Sequence, residues 1–431
     1  MRRRVLTRAI LAVAVVVLVT GGALFERPRR DEPGSFAEGA ALDAAGRPQP
    51  LAAGSEPALL AGSRVLDPGT EGDDATAAAD LAQRQRDWLA SGWLPEGEYR
   101  ELVSTALLDL HVLSTDGGTL AALSTNWRYV WPRDSSFAAA AFAATGHLED
   151  AISTLTFLQD VQAPDGSFEA RYLPDGSGTP DDRHPQTDGT GWALWALDAV
   201  IASAPPAQQP ELLARLDPLL QRSTAYLLAQ VDNPRSLPAP SSDYWEHREK
   251  LLTLGTAAPV LAGLEASARI HDRAGNHADA TQVATVAAQV RDAVGYFFGP
   301  HAYGRYPGPS HADAASAFVL PPYQPTPLPG AVEAWRDSVE TMLRPAGGLA
   351  PGAGWKEQNL SWTPETALYA LAAASIGDDE TARHWLDWLG AHRTSIGALP
   401  EKVTADGDPS GPAPLAWTCA LVVLTAVELE A

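Results

Sequence analysis

The chain has 431 residues, of which 45% are hydrophobic, so it can bury a large core as one large domain or two ordinary ones. Its net charge of −22 argues against nucleic acid or an anionic membrane surface as a partner. Cys419 is the single cysteine, which excludes an intramolecular disulfide and a cysteine-based metal site, and its apolar surroundings in the sequence predict a buried thiol.

The N-terminus has the layout of an export signal. Basic residues in MRRRVLTRAI precede an apolar run from Ala9 to Phe25, and the basic segment ERPRR follows it. No convincing small-residue cleavage motif closes this run, so residues 1–30 are predicted to be either a cleaved signal or a retained membrane anchor. Both alternatives place the bulk of the protein outside the cytoplasm. Residues 31–75 are rich in Gly, Pro, Ala and Asp without helical periodicity, which predicts a flexible linker.

From residue 76 to 431 the pattern is helical almost throughout. Apolar residues recur at the i, i+3, i+4, i+7 spacing of a helix, and Gly or Pro ends most of these segments. The segments are 78–93, 98–113, 135–146, 148–162, 191–204, 212–231, 254–275, 276–297, 329–343, 363–377, 378–393 and 414–430. Alternate segments are small and almost wholly apolar, while their neighbours carry charge on one face. This contrast predicts an all-α fold of about twelve helices, with an inner ring wrapped by an outer ring in an α/α barrel (toroid).

Polar residues that the helices do not explain lie in the connections. Five connections place an acid, a base or amide, and a Trp immediately before a helix: 124–137, 182–192, 241–250, 354–365 and 398–417. Any one of them is better explained as a capped helix with a Trp packed beneath it. Aromatic faces, however, stack on sugar rings, and Asp, Arg and Asn bind hydroxyls. Five such loops on one rim therefore indicate a carbohydrate pocket.

Four segments carry a more specific resemblance. They are GGTLAALSTNWRYVWPRDSSF (117–137), PQTDGTGWAL (185–194), DYWEHRE (243–249) and ALPEKV with GPAPLAWTCA (398–403 and 411–420). In this order, from about residue 98 to the C-terminus, they resemble the catalytic domain of glycoside hydrolase family 15, which includes glucoamylases, glucodextranases, isomaltose-releasing relatives and α,α-trehalases. The resemblance implies an (α/α)6 barrel and a catalytic domain over residues 76–431.

The resemblance also assigns the chemistry. Glu246 matches the general acid of the family and Glu401 its general base, which together hydrolyse α-glucosidic bonds with inversion. We expect an exo-acting enzyme that releases β-glucose from short malto- or isomalto-oligosaccharides. The alternatives are an α,α-trehalase, and a non-catalytic or differently specific carbohydrate-binding toroid. Trp245 with Tyr244 and Asp243 is expected to keep Glu246 protonated, and Lys402 to favour the ionised form of Glu401.

Eight further residues are predicted to bind substrate. Arg133 and Asp134 match the pair that holds the terminal glucose, and Trp127 lies where the family commonly has a Tyr that helps to hold the attacking water. The other predicted contacts, which line or brace the pocket, are Trp131, Asp188, Asp243, Trp245 and Trp417. The segment 354–365 matches the family only loosely, so the linkage that is cleaved stays open.

No cofactor and no metal are expected, because the ten His residues show neither an H-x-x-x-H nor an H-E-x-x-H spacing. Other toroids remain as alternatives. A terpenoid cyclase would need a D-x-D-D motif, which the sequence lacks, and a calcium-dependent mannosidase would lose its activity to a chelator. We expect a monomer whose partner is an α-glucoside.

Overall fold

The computed structural model describes residues 36–69, 71–114 and 117–431. The predicted signal or anchor over residues 1–30 lies outside these ranges. The described part contains twelve α-helices, and each coincides with a segment that periodicity predicted. They are α1 Asp73–Ser91, α2 Arg100–Leu113, α3 Pro132–Ala144, α4 Leu148–Val161, α5 Asp188–Ser203, α6 Gln209–Val231, α7 Leu254–Arg273, α8 His277–Phe298, α9 Ala331–Met342, α10 Thr363–Ser375, α11 Asp379–Ala391 and α12 Ala416–Glu430.

The helices form two concentric layers. Helices α3, α5, α7, α10 and α12 are buried along almost their whole length and lie in a ring, in which α5 contacts α3 and α7, and α12 contacts α10 and α3. Helices α2, α4, α6, α8, α9 and α11 pack outside them and expose one polar face. This arrangement confirms the predicted (α/α)6 barrel. Helix α1 packs on α2 as an addition to the outer layer.

The sixth inner position is filled by a 3-10 helix rather than by an α-helix. This segment, Ala314–Val319, packs between α7 and α10 and is fully buried. The Asp313 side chain accepts a hydrogen bond from the Ala315 N–H and so caps its start. Leu320 ends this helix and Pro321 and Pro322 come next, whose missing N–H groups prevent a longer helix.

Glycine permits the closest contact within the inner ring. A Cβ atom on Gly191 of α5 would lie 2.1 Å from the Pro259 carbonyl oxygen of α7, and one on Gly263 would lie 2.7 Å from the Gly191 Cα. Because neither residue has a side chain, the two helix backbones pack directly against each other.

The prediction of a flexible linker over residues 31–75 is wrong for the residues of this range that the structure describes. Strands β1 (Ala37–Leu42) and β2 (Pro48–Ala52) form an antiparallel hairpin, and all six residues of β1 are buried. The Thr394 hydroxyl donates to the Glu38 carbonyl oxygen at 2.6 Å, and Gly39 packs against Ile396. The segment is ordered because the barrel surface covers it, so the two-residue alternation typical of a half-exposed strand is absent from its sequence.

A buried ion pair joins Arg64, which follows the hairpin in the sequence, to Asp109 of α2. Arg64 Nε lies 2.5 Å from Asp109 Oδ1, and Arg64 Nη1 donates to the Ile396 carbonyl oxygen at 3.0 Å. Both side chains are almost completely buried. Residues 36–69 therefore belong to the folded unit.

A second small sheet lies at one end of the barrel. Strands β3 (Ser361–Trp362), β4 (Lys402–Val403) and β5 (Pro409–Ser410) pair antiparallel in that order, with Trp362 opposite Lys402. Cys419 is a buried free thiol, as predicted. None of the described helices is long and apolar enough to cross a membrane.

Candidate active site

The N-terminal ends of the inner helices meet at one pocket. Arg133 and Asp134 lie in the first turn of α3, Glu365 in the first turn of α10 and Trp417 in the first turn of α12. Pro132 and Pro364 stand at the starts of α3 and α10, where the fixed φ of proline favours helix initiation. The unpaired N–H groups of these first turns favour carboxylates nearby.

Eight of the ten predicted site residues line this pocket. The space in the pocket and at its open mouth is about 530 Å³. The eight residues are Trp127, Trp131, Arg133, Asp134, Trp245, Glu246, Glu401 and Trp417. The other two, Asp188 and Asp243, are buried behind the lining and brace residues that face it. The sequence analysis did not assign roles to three further lining residues, Trp355, Trp362 and Glu365.

Arg133 is the centre of the charged network. Its Nη1 lies 3.0 Å from Asp188 Oδ2, its Nη2 3.2 Å from Glu246 Oε1, and its Nε 3.8 Å from Asp134 Oδ2. The guanidinium also lies over the Trp417 ring, 5.1 Å from its centroid. A single buried cation thus holds three carboxylates in fixed positions around one side of the pocket.

The two aspartates of this network have raised pKa values. Burial raises the pKa of Asp134 to about 6, with Arg133 opposing the shift and the charges of Glu246 and Glu401 adding to it. Burial likewise raises the pKa of Asp188 to about 7, again against the effect of Arg133. One cation does not fully compensate the desolvation of several carboxyl groups.

Glu246 lies at the end of a strained turn between α6 and α7. Its φ is +57°, in the left-handed region that residues with a side chain seldom adopt. The Glu246 N–H donates to the Asp243 carbonyl oxygen at 2.8 Å, and the Trp245 N–H donates to Asp243 Oδ1 at 3.0 Å. Strain of this kind persists only where the surroundings fix the conformation, which is typical of functional sites.

The carboxylate of Glu246 is held by donors from several elements. Oε1 accepts hydrogen bonds from Arg133 Nη2 at 3.2 Å and from Gln186 Nε2 at 2.9 Å, and Oε2 accepts one from Arg183 Nη1 at 2.6 Å. The sequence analysis expected aromatic and acidic neighbours to keep this group protonated. Two guanidinium groups contact it as well, and contacts of this kind favour the ionised form.

Arg305 supports the turn from behind, and the sequence analysis missed it. Its Nη2 lies 3.0 Å from Asp243 Oδ1 and 2.6 Å from Glu249 Oε1, and its Nη1 lies 2.9 Å from Asp313 Oδ2. The guanidinium also stacks on Trp245, 3.6 Å from the ring centroid. The only signal in the sequence is an Arg between Gly and Tyr in a loop, which does not reveal its burial.

Glu401 lies directly before β4. Its N–H donates to the Pro412 carbonyl oxygen at 2.9 Å, and its own carbonyl oxygen accepts from the Thr363 N–H at 3.0 Å. Its side chain is only 7% exposed. The small sheet and the start of α10 therefore fix the backbone on both sides of this carboxylate.

The carboxylate oxygens of Glu401 differ in their surroundings. Oε1 accepts a hydrogen bond from the Trp127 indole N–H at 3.1 Å. Oε2 lies 3.7 Å from Lys402 Nζ, the neighbour that the sequence analysis expected to favour ionisation, and accepts no hydrogen bond from the described residues. An indole N–H donates but does not accept, so Trp127 contacts the carboxylate directly. Glu401 thus keeps an oxygen that can accept a proton.

Aromatic residues form the walls and the floor of the pocket. Trp355 packs edge-on against Trp245 at 5.0 Å and against Trp362 at 5.3 Å between ring centroids. Beneath them, Phe137 contacts Trp417 at 5.8 Å and belongs to the aromatic core of the barrel. The pocket therefore ends within the barrel. Among the described residues no group of three or more His, Cys, Asp or Glu side chains is arranged to hold a metal ion.

The sequence model of the family described as glycosyl hydrolases family 15 matches residues 97–324, which is more than half of the chain. The matched stretch contains Arg133, Asp134 and Glu246 and ends before Glu401. No curated protein matches the chain significantly.

Solved structures resemble the chain at low sequence identity. A glycosidase variant in complex with glucose is 22% identical, with a TM-score of 0.64, and the match covers 77% of this chain and 96% of that one. A bacterial glucoamylase complexed with acarbose is 17% identical, with a TM-score of 0.67 and coverages of 83% and 60%. The glucoamylase of Saccharomycopsis fibuligera is 13% identical, with a TM-score of 0.59 and coverages of 79% and 97%. These structures share the barrel fold.

Proposed function

The chain belongs to the glycosyl hydrolases family 15, and we propose that it is an inverting, exo-acting α-glucosidase. Its substrates would be short malto- or isomalto-oligosaccharides, from which it releases β-glucose at the non-reducing end. The observation that carries this proposal is the meeting of Glu246 and Glu401 with Arg133 and Asp134 in one pocket. The two glutamates are 155 positions apart in the sequence and reach one pocket only through closure of the barrel.

Each carboxylate has a role that suits its surroundings. Glu246, once protonated, would give its proton to the oxygen of the leaving sugar. Glu401, with its Oε2 free of hydrogen bonds from the described residues, would take a proton from the water that attacks the opposite face of the glucose ring. Inversion requires room for this water between the two groups, about 6.5–9.5 Å. Trp127 would hold Glu401 in place for this step.

The closed floor of the pocket supports exo-action. Phe137 and the aromatic core behind it fill the barrel beneath Trp417, so a chain can enter only by its end. Arg133 and Asp134 would then hold the hydroxyl groups of the terminal glucose. The glucose bound to a similar glycosidase and the acarbose bound to a bacterial glucoamylase are consistent with such a substrate.

The proposal is tested by hydrolysis of α-1,1, α-1,4 and α-1,6 glucosides of increasing length, with NMR of the fresh product. We expect β-glucose as the first anomer from α-1,4 or α-1,6 substrates. Initial α-glucose would contradict inversion, and cleavage restricted to trehalose would identify the α,α-trehalase alternative. Glu246→Gln and Glu401→Gln should each abolish turnover and leave the melting temperature near that of the wild type. Near-normal kcat in either variant would refute the assigned role.

A further inference from the structure

The carboxylate that should donate the proton is bound by one side chain that is partly exposed to solvent. Arg183 lies in loop 162–187 between α4 and α5. Its side chain is 35% exposed, whereas the side chains of Arg133 and Glu246 are 6% and 7% exposed. Arg183 is therefore the most exposed of the groups seen to bind this carboxylate.

The two oxygens of Glu246 are held by donors of different exposure. The donors to Oε1 are buried and joined to each other, because Arg133 Nη1 pairs with Asp188 Oδ2 at 3.0 Å and donates a hydrogen bond to Gln186 Oε1 at 3.2 Å. The donor to Oε2 is Arg183, which also pairs through its Nε with Asp181 Oδ2 of the same loop at 3.3 Å and lies 5.9 Å from the centroid of the Trp131 ring. A rotation of the Arg183 side chain alone would therefore release Oε2, while Arg133 and Gln186 still bind Oε1.

A guanidinium at 2.6 Å also opposes the chemistry. A general acid must carry a proton when the leaving oxygen arrives, and a cation in contact with a carboxylate favours loss of that proton. The same contact occupies space beside Oε2 that the leaving sugar needs. Both difficulties disappear if the contact is broken when substrate binds.

We propose that Arg183 is a substrate-displaced latch on Glu246: it holds the carboxylate ionised in the free enzyme, and the leaving sugar displaces it from Oε2. Glu246 then takes a proton from the solvent, and Glu401 returns to the solvent the proton that it took from the attacking water, so no net proton is consumed. The return of Arg183 stabilises the Glu246 carboxylate that remains after proton donation. Arg183 is a positioning residue in this scheme. The inference rests on the proposed function, because it requires Glu246 to be the general acid.

Other charged groups also face Glu246 and are unchanged by a substitution at Arg183. Helix α3 contributes Arg133 and Asp134, α5 contributes Asp188, and His247 follows Glu246 in its own loop. The lining of the pocket adds Glu365 and Glu401, and loop 162–187 adds Asp181 and Arg171. A difference between wild type and an Arg183 variant therefore isolates the latch.

The test compares two pH profiles of Arg183→Gln and the wild type. The alkaline limb of kcat/KM reports the ionisation of the general acid in the free enzyme, and the alkaline limb of kcat reports it in the enzyme–substrate complex. Removal of a cation in contact with the carboxylate should move the kcat/KM limb of the variant to higher pH by roughly one unit. The kcat limbs of the two proteins should coincide, because Arg183 has already left.

Two results would overturn the latch: a shift in both limbs, which means that Arg183 stays on Glu246 during catalysis, or a shift in neither. Arg248→Gln is the matched control for loss of one positive charge, since Arg248 is exposed two positions after Glu246. It should shift neither limb, and a shift equal to that of Arg183→Gln would attribute the effect to net charge and refute the latch. Melting temperatures check folding. An active Glu246→Gln variant would refute the proposed function itself, whereas an inactive one with unmoved Arg183→Gln limbs would refute only the latch.

Discussion

Replacement of Asp134 by Asn separates a substrate-binding role from a structural one. Asp134 lines the pocket, is 5% exposed and lies 3.8 Å from Arg133 Nε. Asn has nearly the same shape but no charge. The helical segment predicted from periodicity begins at Ser135, which would make Asp134 its cap. Helix α3 instead begins at Pro132, so Asp134 lies within its first turn and is not its cap.

The expected loss follows from the hydrogen bonds of a carboxylate. A bond to a charged group contributes about 1.5–3 kcal/mol and one between neutral groups about 0.5–1.5 kcal/mol. Two carboxylate oxygens that each accept from a sugar hydroxyl would therefore lose about 2–3 kcal/mol on conversion to the amide. Since 1.4 kcal/mol corresponds to a factor of ten, kcat/KM at pH 7 should fall by about one to two orders of magnitude.

The folding stability of Asp134→Asn should differ little from that of the wild type, and the raised pKa of Asp134 explains why. A carboxyl group whose pKa is raised by folding destabilises the folded state at pH values above its unfolded pKa, because the folded state then loses a bound proton at a cost. Asn removes this cost at pH 7. It also removes the favourable interaction of the charge with the start of α3, about 0.3–1 kcal/mol, so the two effects oppose each other.

The assay is steady-state hydrolysis of the best short α-glucoside between pH 5 and 7.5, with thermal melting in parallel. Because the pKa of Asp134 is about 6, the carboxylate of the free wild-type enzyme becomes protonated below that pH, and the ratio of wild-type to variant kcat/KM should shrink there. Asp379→Asn, an exposed Asp in the first turn of α11, is the matched control and should leave kinetics unchanged. Unaltered kinetics in Asp134→Asn would show that the residue does not bind the glucose.

Three further predictions concern other parts of the molecule. Trp127→Phe removes the N–H that donates to Glu401 at 3.1 Å, so kcat should fall roughly ten- to a hundredfold with little change in melting temperature; an unchanged kcat would contradict the importance of this bond. Burial holds the pKa of His147 below its usual range, so the contribution of this residue to stability is lost as the pH falls below about 6.5. The melting temperature of His147→Phe should therefore fall less between pH 7.5 and 5 than that of the wild type, and an equal fall in both proteins would refute this. Arg64→Met leaves the buried Asp109 without its cation and should lower the free energy of unfolding by about 3–5 kcal/mol in urea titrations, while Arg64→Met with Asp109→Leu should recover most of the loss.

The helices and most of the pocket could be predicted because their signals are local. Each helix has its own periodic pattern, and the segments with Trp and charged residues precede the inner helices whose starts surround the pocket. Pairs within one loop, such as Lys402 beside Glu401, could also be predicted because the two residues are adjacent in the sequence.

The features that were missed depend on contacts between distant segments. The β1 strand contains small residues without alternation, and only the barrel surface that covers it explains its order. Arg183 and Arg305 are ordinary loop arginines in the sequence, yet they bind Glu246 and Asp243 across 63 and 62 positions. The partners of an arginine are set by tertiary structure, so the charges around Glu246 could not be predicted from its neighbours in the chain.

Contacts of the N-terminal segment 36–69 affect the order in which the enzyme folds and becomes active. Glu38 Oε2 accepts a hydrogen bond from the Ser395 hydroxyl across 357 positions, and Arg64 binds the Ile396 carbonyl oxygen across 332. These contacts lie only a few residues before Glu401 and join segments from opposite ends of the chain. Contacts of such long range carry a large loop-closure cost and form late in folding. The loop that leads to Glu401, the proposed general base, can be completed only after synthesis has passed residue 396, so the first appearance of activity during refolding should follow the formation of the helices and report the closure of the ring.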